Sequence, residues 1–148
     1  MQGEQFGEVA QALRDGDLDR APVSPAERLL LEFVGTLTRH AYRITDEQVD
    51  ALRTAGWSDP QIAEAVYVGA LFNFFVRLAE LFEDARSGSI SGIKRPFVAD
   101  ILHTMSHRPD FLAAIMDASR VHFSDGALTR AQHEMIASYV SALNHCHY

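Results

Sequence analysis

Ser58-Asp59-Pro60-Gln61-Ile62-Ala63-Glu64-Ala65-Val66-Tyr67-Val68-Gly69-Ala70-Leu71-Phe72-Asn73-Phe74-Phe75 decides the fold class of this chain. Its first four residues form a capping box, in which Gln61 reaches back to the amide of Ser58. Pro60 stands in the first turn, where its missing N–H costs nothing. The apolar run behind it shows no sustained alternation. Helical spacing selects Ile62, Val66, Leu71, Phe74, Phe75, Leu78 and Leu81 as candidate buried positions. The stretch predicts one long helix ending near Asp84.

The same punctuation recurs on both sides. Ser24-Pro25-Ala26-Glu27 is a second box, opening an apolar stretch through about His40. Thr45-Asp46-Glu47-Gln48 is a third, and its short helix stops at Gly56, a C-terminal cap. Beyond the long helix, Arg86-Ser87-Gly88-Ser89-Ile90-Ser91-Gly92 reads as a flexible break, rich in residues that resist helix. Pro96 starts a helix that ends before Arg108-Pro109, since proline disfavours helical geometry at the residue before it. Another helix runs from Pro109 to about Phe123. Ser124-Asp125-Gly126 turns the chain, and Thr129 caps the last helix. The chain reads as all-α.

There is also a weak internal echo. Tyr67-Val68-Gly69-Ala70-Leu71-Phe72-Asn73 resembles Tyr139-Val140-Ser141-Ala142-Leu143-Asn144 after one gap. Either the chain carries a repeat, or small residues let two helices pack closely.

Size and charge narrow the function. A chain of 148 residues forms one domain that buries about two-thirds of its unfolded surface. The net charge of −7 repels nucleic-acid phosphates, so no nucleic-acid partner is expected. No apolar run approaches the roughly 20 residues of a membrane span, and no membrane partner is expected. Met1 to Asp19 carries acids and no apolar core of a secretory signal. The single cysteine excludes an internal disulfide framework and fits a reducing, cytoplasmic setting.

That cysteine sits in the most informative segment. Glu134-Met135-Ile136-Ala137-Ser138-Tyr139-Val140-Ser141-Ala142-Leu143-Asn144 leads into His145-Cys146-His147-Tyr148. The run resembles the approach to the redox motif of the alkylhydroperoxidase D-like (carboxymuconolactone decarboxylase-like) families, most closely their peroxidase-related members. In that pattern a Glu precedes a Cys-x-x-Cys by this interval, and a His comes soon after the second Cys. Glu134 and Cys146 stand at matching positions. The residue after Tyr148 would be the second cysteine, which is absent from this chain.

Two segments carry the resemblance, in reversed order. Residues 95–148 look like the first half of a family domain, with His107-Arg108-Pro109-Asp110, Leu128-Thr129-Arg130 and the helix ending at Cys146. Residues 25–84 look like the second half. Their markers are Ile44-Thr45-Asp46-Glu47-Gln48-Val49, Leu52-Arg53-Thr54-Ala55-Gly56-Trp57-Ser58-Asp59 and Phe72-Asn73-Phe74-Phe75-Val76-Arg77-Leu78-Ala79. Residues 1–24 form an N-terminal segment, and 85–94 a Gly/Ser-rich linker. The resemblance thus implies a helical bundle of the alkylhydroperoxidase D-like type. The order implies a window cut from a tandem protein, inside the Cys-x-x-Cys motif. A circular permutation would give the same order.

The implied activity is that of a thiol-dependent peroxidase or disulfide reductase, acting on a peroxide or a protein disulfide. Cys146 would be the first thiol of the pair, of which the second is often the one that meets peroxide, and Glu134 the proton relay, with a homo-oligomeric assembly and no cofactor. Lacking the second cysteine, the chain by itself would be inactive. Geometry sets a condition on this. Twelve residues of unbroken helix would put Glu134 about 18 Å from Cys146 and about 120° around the axis. A working site needs the helix to end near Asn144 and the chain to turn.

Other readings compete. The decarboxylase branch of the fold would open and decarboxylate a lactone by acid–base chemistry without paired cysteines, but a basic cluster for a dicarboxylate is not evident. A non-catalytic helical oligomerisation module would complete two half-domains between chains. His145, Cys146 and His147 form a soft cluster, and His103 and His107 share a helix face. Neither has a second cluster to complete a tetrahedral set, so no functional metal is expected. His107 is expected at a helix end, where a charged imidazole is favoured. Phe72, Phe74, Phe75 and Phe82 are expected in the core or a subunit interface. Arg77 should snorkel or pair with Glu80 or Glu83.

Overall fold

The computed structural model describes residues 2–87, 105–106, 108–122 and 124–145, with side chains from residue 7 to 78 and throughout the later stretches. Among these residues there are six α-helices and no strand: α1 Gln2–Arg14, α2 Pro25–His40, α3 Asp46–Thr54, α4 Asp59–Ser87, α5 Pro109–His122 and α6 Arg130–Leu143. A 3-10 turn, Ala41–Arg43, joins α2 to the segment before α3. The protein is all-α.

Local chemistry sets most helix ends. Ser24 Oγ accepts from the Glu27 amide at 3.2 Å, and Glu27 Oε2 accepts from the Ser24 amide at 2.9 Å. Gln48 returns to the Thr45 amide at 3.1 Å and Gln61 to the Ser58 amide at 2.9 Å. Thr129 and Gln132 form a fourth box, with bonds of 3.0 and 3.3 Å. Each such cap contributes about 1 kcal/mol. Gly56, at φ 100°, ends α3 in the left-handed region that only glycine enters freely. The amides of Gly56 and Trp57 then return to the carbonyls of Arg53 and Leu52 at 3.0 and 3.1 Å, a complete Schellman stop. Trp57 is buried there, and its Nε1–H donates to the Ala26 carbonyl at 2.9 Å, fastening the α3–α4 corner to the start of α2.

Helix α6 is the centre of the packing, lying against α1, α2 and α4. One apolar core joins Val9, Ala12 and Leu13 of α1 to Leu30, Leu31, Phe33 and Val34 of α2. Ile62, Ala65, Val68 and Phe72 of α4 and Ile136, Ala137, Tyr139 and Val140 of α6 complete it. Described residues of 25–84 and of 95–148 therefore share a core. Residues 1–24, given no element above, supply a helix to it.

Three expectations change. The buried stripe of α4 is Ile62, Ala65, Val68, Gly69, Phe72, Asn73 and Val76, whereas Val66, Leu71, Phe74, Phe75 and Leu78 are only half-buried. The stripe is rotated because α4 is apolar on several faces, and its partners α2 and α6 choose between them. Second, α4 continues to Ser87, so residues 85–87 of the expected linker are helical. Third, Asp59–Leu78 is long and apolar enough by composition to cross a membrane. A soluble core helix passes the same test, and here the stripe packs on α2 and α6. The side chains of Leu81 and Phe82, the helix expected from Pro96, and His103 and His107 lie outside the described residues.

The glycine of the echo does let two helices pack closely. A Cβ on Gly69 would meet Leu37 Cδ2 of α2 at 3.3 Å, so Gly69 admits α2 rather than α6. Gly35 of α2 in turn admits the Tyr139 ring of α6, which would lie 3.4 Å from an added Cβ.

Candidate functional site

The described chain stops one residue short of Cys146, and the approach to that residue is informative. Helix α6 ends at Leu143 with Asn144 as its cap. His145 comes next at φ 56°, a left-handed conformation that histidine tolerates better than most side chains. Its amide returns to the Ala142 carbonyl at 3.0 Å, as in a Schellman-type stop. The break expected near Asn144 is present. Cys146, His147 and Tyr148 lie outside the described residues, and with them the soft His-Cys-His cluster.

Glu134 is half-buried on α6, and its Oε1 lies 3.3 Å from Arg130 Nε one turn earlier. An exposed pair of this kind is worth at most about 0.5 kcal/mol, so Glu134 is easily released for other work. Helical geometry puts it about 15 Å from Asn144 and about 80° around the axis.

Asn144 is held firmly. Its Nδ2 donates to the Val140 carbonyl at 2.8 Å and to Asn73 Oδ1 of α4 at 3.0 Å. Asn73 is 9% exposed. Its Nδ2 donates to the Gly69 carbonyl at 2.9 Å and to Thr38 Oγ1 of α2 at 3.2 Å. Arg77 Nη1 donates to the Asn73 carbonyl at 3.1 Å and approaches Asn73 Oδ1 at 3.4 Å. Arg77 thus finds a carbonyl on its own helix; the side chains of Glu80 and Glu83 lie outside the described residues. The two carbonyl contacts fix both amide orientations, because only NH2 can face a carbonyl oxygen. The asparagines that end the two echoed segments therefore bond to each other.

A second cluster lies at the other end of α6. Glu64 Oε2 of α4 accepts from the Leu128 amide at 2.6 Å. Glu64 Oε1 is 3.3 Å from Nε2 of His133, whose side chain is fully buried. That approach is not aligned as a hydrogen bond, and neither ring nitrogen of His133 has an aligned partner among the described residues. The His133 ring stacks on His122 at 5.3 Å between centroids, and His122 meets the Phe72 ring at 5.2 Å. Burial first, then the neighbouring His133, pushes His122 down from 6.5 to about 4, against the opposing pull of Glu64 and Glu134. Among the described residues, no group of three His, Cys, Asp or Glu is arranged to hold a metal ion. Sequence reading missed this cluster because no local spacing links Glu64, His122 and His133.

Gly126 sits against the same carboxylate. A Cβ there would overlap Glu64 Oε1, forcing the carboxylate off the Leu128 amide. Gly126→Ala should therefore cost about 1.5–3 kcal/mol, the range for a hydrogen bond to a charged group. Urea unfolding of the two proteins side by side checks it; an unchanged midpoint would mean that Glu64 is not held there.

Comparison with protein families, with curated proteins and with solved structures finds no match to this chain.

Proposed function

We propose that this chain is a thiol-redox protein of the alkylhydroperoxidase D-like type, in which Cys146 is the reactive thiol and Glu134 relays protons. One observation carries the reading. Helix α6 stops at Leu143, and His145 turns left-handed one residue before Cys146. The thiol mechanism requires a break near Asn144, because an unbroken helix would hold the two residues about 18 Å apart.

In the proposed reaction Glu134 takes the proton of the Cys146 thiol. The thiolate sulfur attacks one peroxide oxygen, forming an S–O bond as the O–O bond breaks. Glu134 returns the proton to the departing alkoxide, which leaves as an alcohol. Sulfur is oxidised by two electrons to a sulfenic acid, and the peroxide is reduced by two. A second thiol then attacks the sulfenic sulfur, forming a disulfide and releasing water. These 148 residues hold one cysteine, so by themselves they would stop at the sulfenic acid and not turn over. A protein disulfide is the alternative substrate. A second copy of the chain is the proposed partner, in keeping with the exposed Tyr67, Met116 and Val121. A reducing cytoplasm is the proposed setting.

The test is peroxide treatment, then trapping of sulfenic acid and mass analysis. The wild-type chain should gain one adduct, on Cys146, faster than free cysteine does. Cys146→Ser should gain none. Glu134→Gln should slow formation by about 100-fold, the lower range for a positioned proton relay. A rate equal to that of free cysteine, unaffected by Glu134→Gln, would overturn the proposal.

A further inference from the structure

We infer that His122 is an acid-released latch: its neutral ring, held between Phe72 of α4 and His133 of α6, seats α5 on the bundle, and a proton on that ring lets α5 leave while the core stays closed. The way α5 is attached singles it out. Leu112, Ile115, Ser119 and His122 recur at helical spacing on the side of α5 turned inward, and of these only His122 is buried. Phe111, Met116 and Val121 are 44%, 47% and 71% exposed. Among the described residues, none from α5 belongs to the shared apolar core, and α5 has no extended contact with another helix. Its one other ring contact there is Phe111 on Phe74, at 6.1 Å. The most buried point of the attachment is thus a ring that can take a charge.

The surroundings of that ring receive a charge poorly. His122 lies nearly parallel to His133, at 5.3 Å and 14°. Stacked imidazoles present faces to each other and keep their lone pairs in the ring plane, so His133 offers a charged His122 no acceptor. The nearby carboxylates are engaged. Glu64 of α4 takes the Leu128 amide at 2.6 Å, and Glu134 of α6 pairs with Arg130. Asp125, in the connection, takes the Arg130 amide at 2.8 Å, and Asp117 pairs with Arg120 on α5 itself.

Burial and then His133 therefore outweigh Glu64 and Glu134, and His122 is pushed down from 6.5 to about 4. Free of the bundle, the ring takes its proton at about 6.5. Above that value the seat is fully formed. Each pH unit below it shifts the balance toward release by up to tenfold, about 300-fold by pH 4. A free helix of 14 residues is marginal in water, so released α5 melts. The chain beyond it is fastened separately, through Leu128 to Glu64 and Arg130 to Asp125, and release stops before α6.

Hydrogen exchange on the full chain tests this, with rates corrected for the pH dependence of free amides. At pH 7 the amides of Leu112 to Val121 should exchange faster than those of Val68 and Val140 in the core. Between pH 7 and 5 the protection of α5 should fall by about 20-fold. It should vanish at a pH where Val68 and Val140 keep theirs, and that pH should match the titration of the His122 ring followed by NMR. His122→Phe leaves an aromatic ring in the seat that takes no proton, so its α5 should stay protected down to pH 4.5. Should the larger ring unseat α5 at pH 7, His122→Leu gives the same comparison. If α5 and the core of the wild-type protein lose protection together, acid acts by global unfolding and there is no latch. If His122 takes its proton with α5 still protected, or if a variant that seats α5 at pH 7 loses it in acid as the wild type does, His122 does not hold α5 and the inference fails.

Discussion

Lowering the pH from 6.5 to about 4 should strip as much as about 3 kcal/mol from the stability of this protein. The source is His122, buried against Phe72 and stacked on His133, which stays neutral down to about 4 in the folded chain. In the unfolded chain an imidazole takes its proton at about 6.5. Between those values the unfolded state holds a proton that the folded state refuses, so stability rises with pH there. The contribution is complete above 6.5 and is lost as pH falls, at up to about 1.4 kcal/mol per unit. Glu64 and Glu134 oppose the shift, and the steepest loss falls between the two values. Urea unfolding at pH 7, 5.5 and 4.5 gives the slope directly. His122→Gln should flatten it. A slope the same in both proteins would assign the acid sensitivity to another group.

Replacing Phe72 with alanine should cost about 3–5 kcal/mol, the usual penalty for emptying a buried aromatic site. Phe72 is 7% exposed and meets Phe75 and His122 at 6.1 and 5.2 Å between ring centroids. A domain of this size is stable by about 5–15 kcal/mol, so the variant should stand near its unfolding limit. Phe74, half-buried against Phe75 and Phe111, should lose distinctly less when cut to alanine. Thermal and urea unfolding of both variants decides the register of α4. Equal losses, or a larger loss at Phe74, would restore the stripe that spacing alone suggests.

That comparison marks where the sequence was legible. Helix boundaries are local events, so Ser24, Thr45, Ser58, Thr129 and Gly56 announced them. The register of α4 is not local: Val66, Leu71 and Phe74 offer as good an apolar face as Val68, Phe72 and Val76, and only α2 and α6 select between them. Helix α1 opens without a capping box, and the helical spacing of Phe6, Val9 and Leu13 was the one signal that could have announced it. At the site, the resemblance singled out Glu134 and called for a break after Asn144. It was silent on Asn73, whose partner lies far away in the chain, and the echo of the two asparagines was the one trace of that pairing. The Glu64, His133 and His122 group left no trace, because three residues from three helices have no spacing to read.

The position of α6 has a kinetic consequence. The helix nearest the end of this sequence packs against the helix nearest its beginning, as well as against α2 and α4. Helices α2, α3 and α4 can meet through short connections, but α1 and α6 enclose a loop of most of the chain. Loop closure costs only about 0.6 kcal/mol per doubling of length, so the finished fold bears it lightly. Folding speed is more sensitive, since distant contacts give nothing back until the loop has closed. Docking of α6 on α1 should therefore come late in folding, and until it occurs the apolar faces of α1, α2 and α4 stay open to unwanted association.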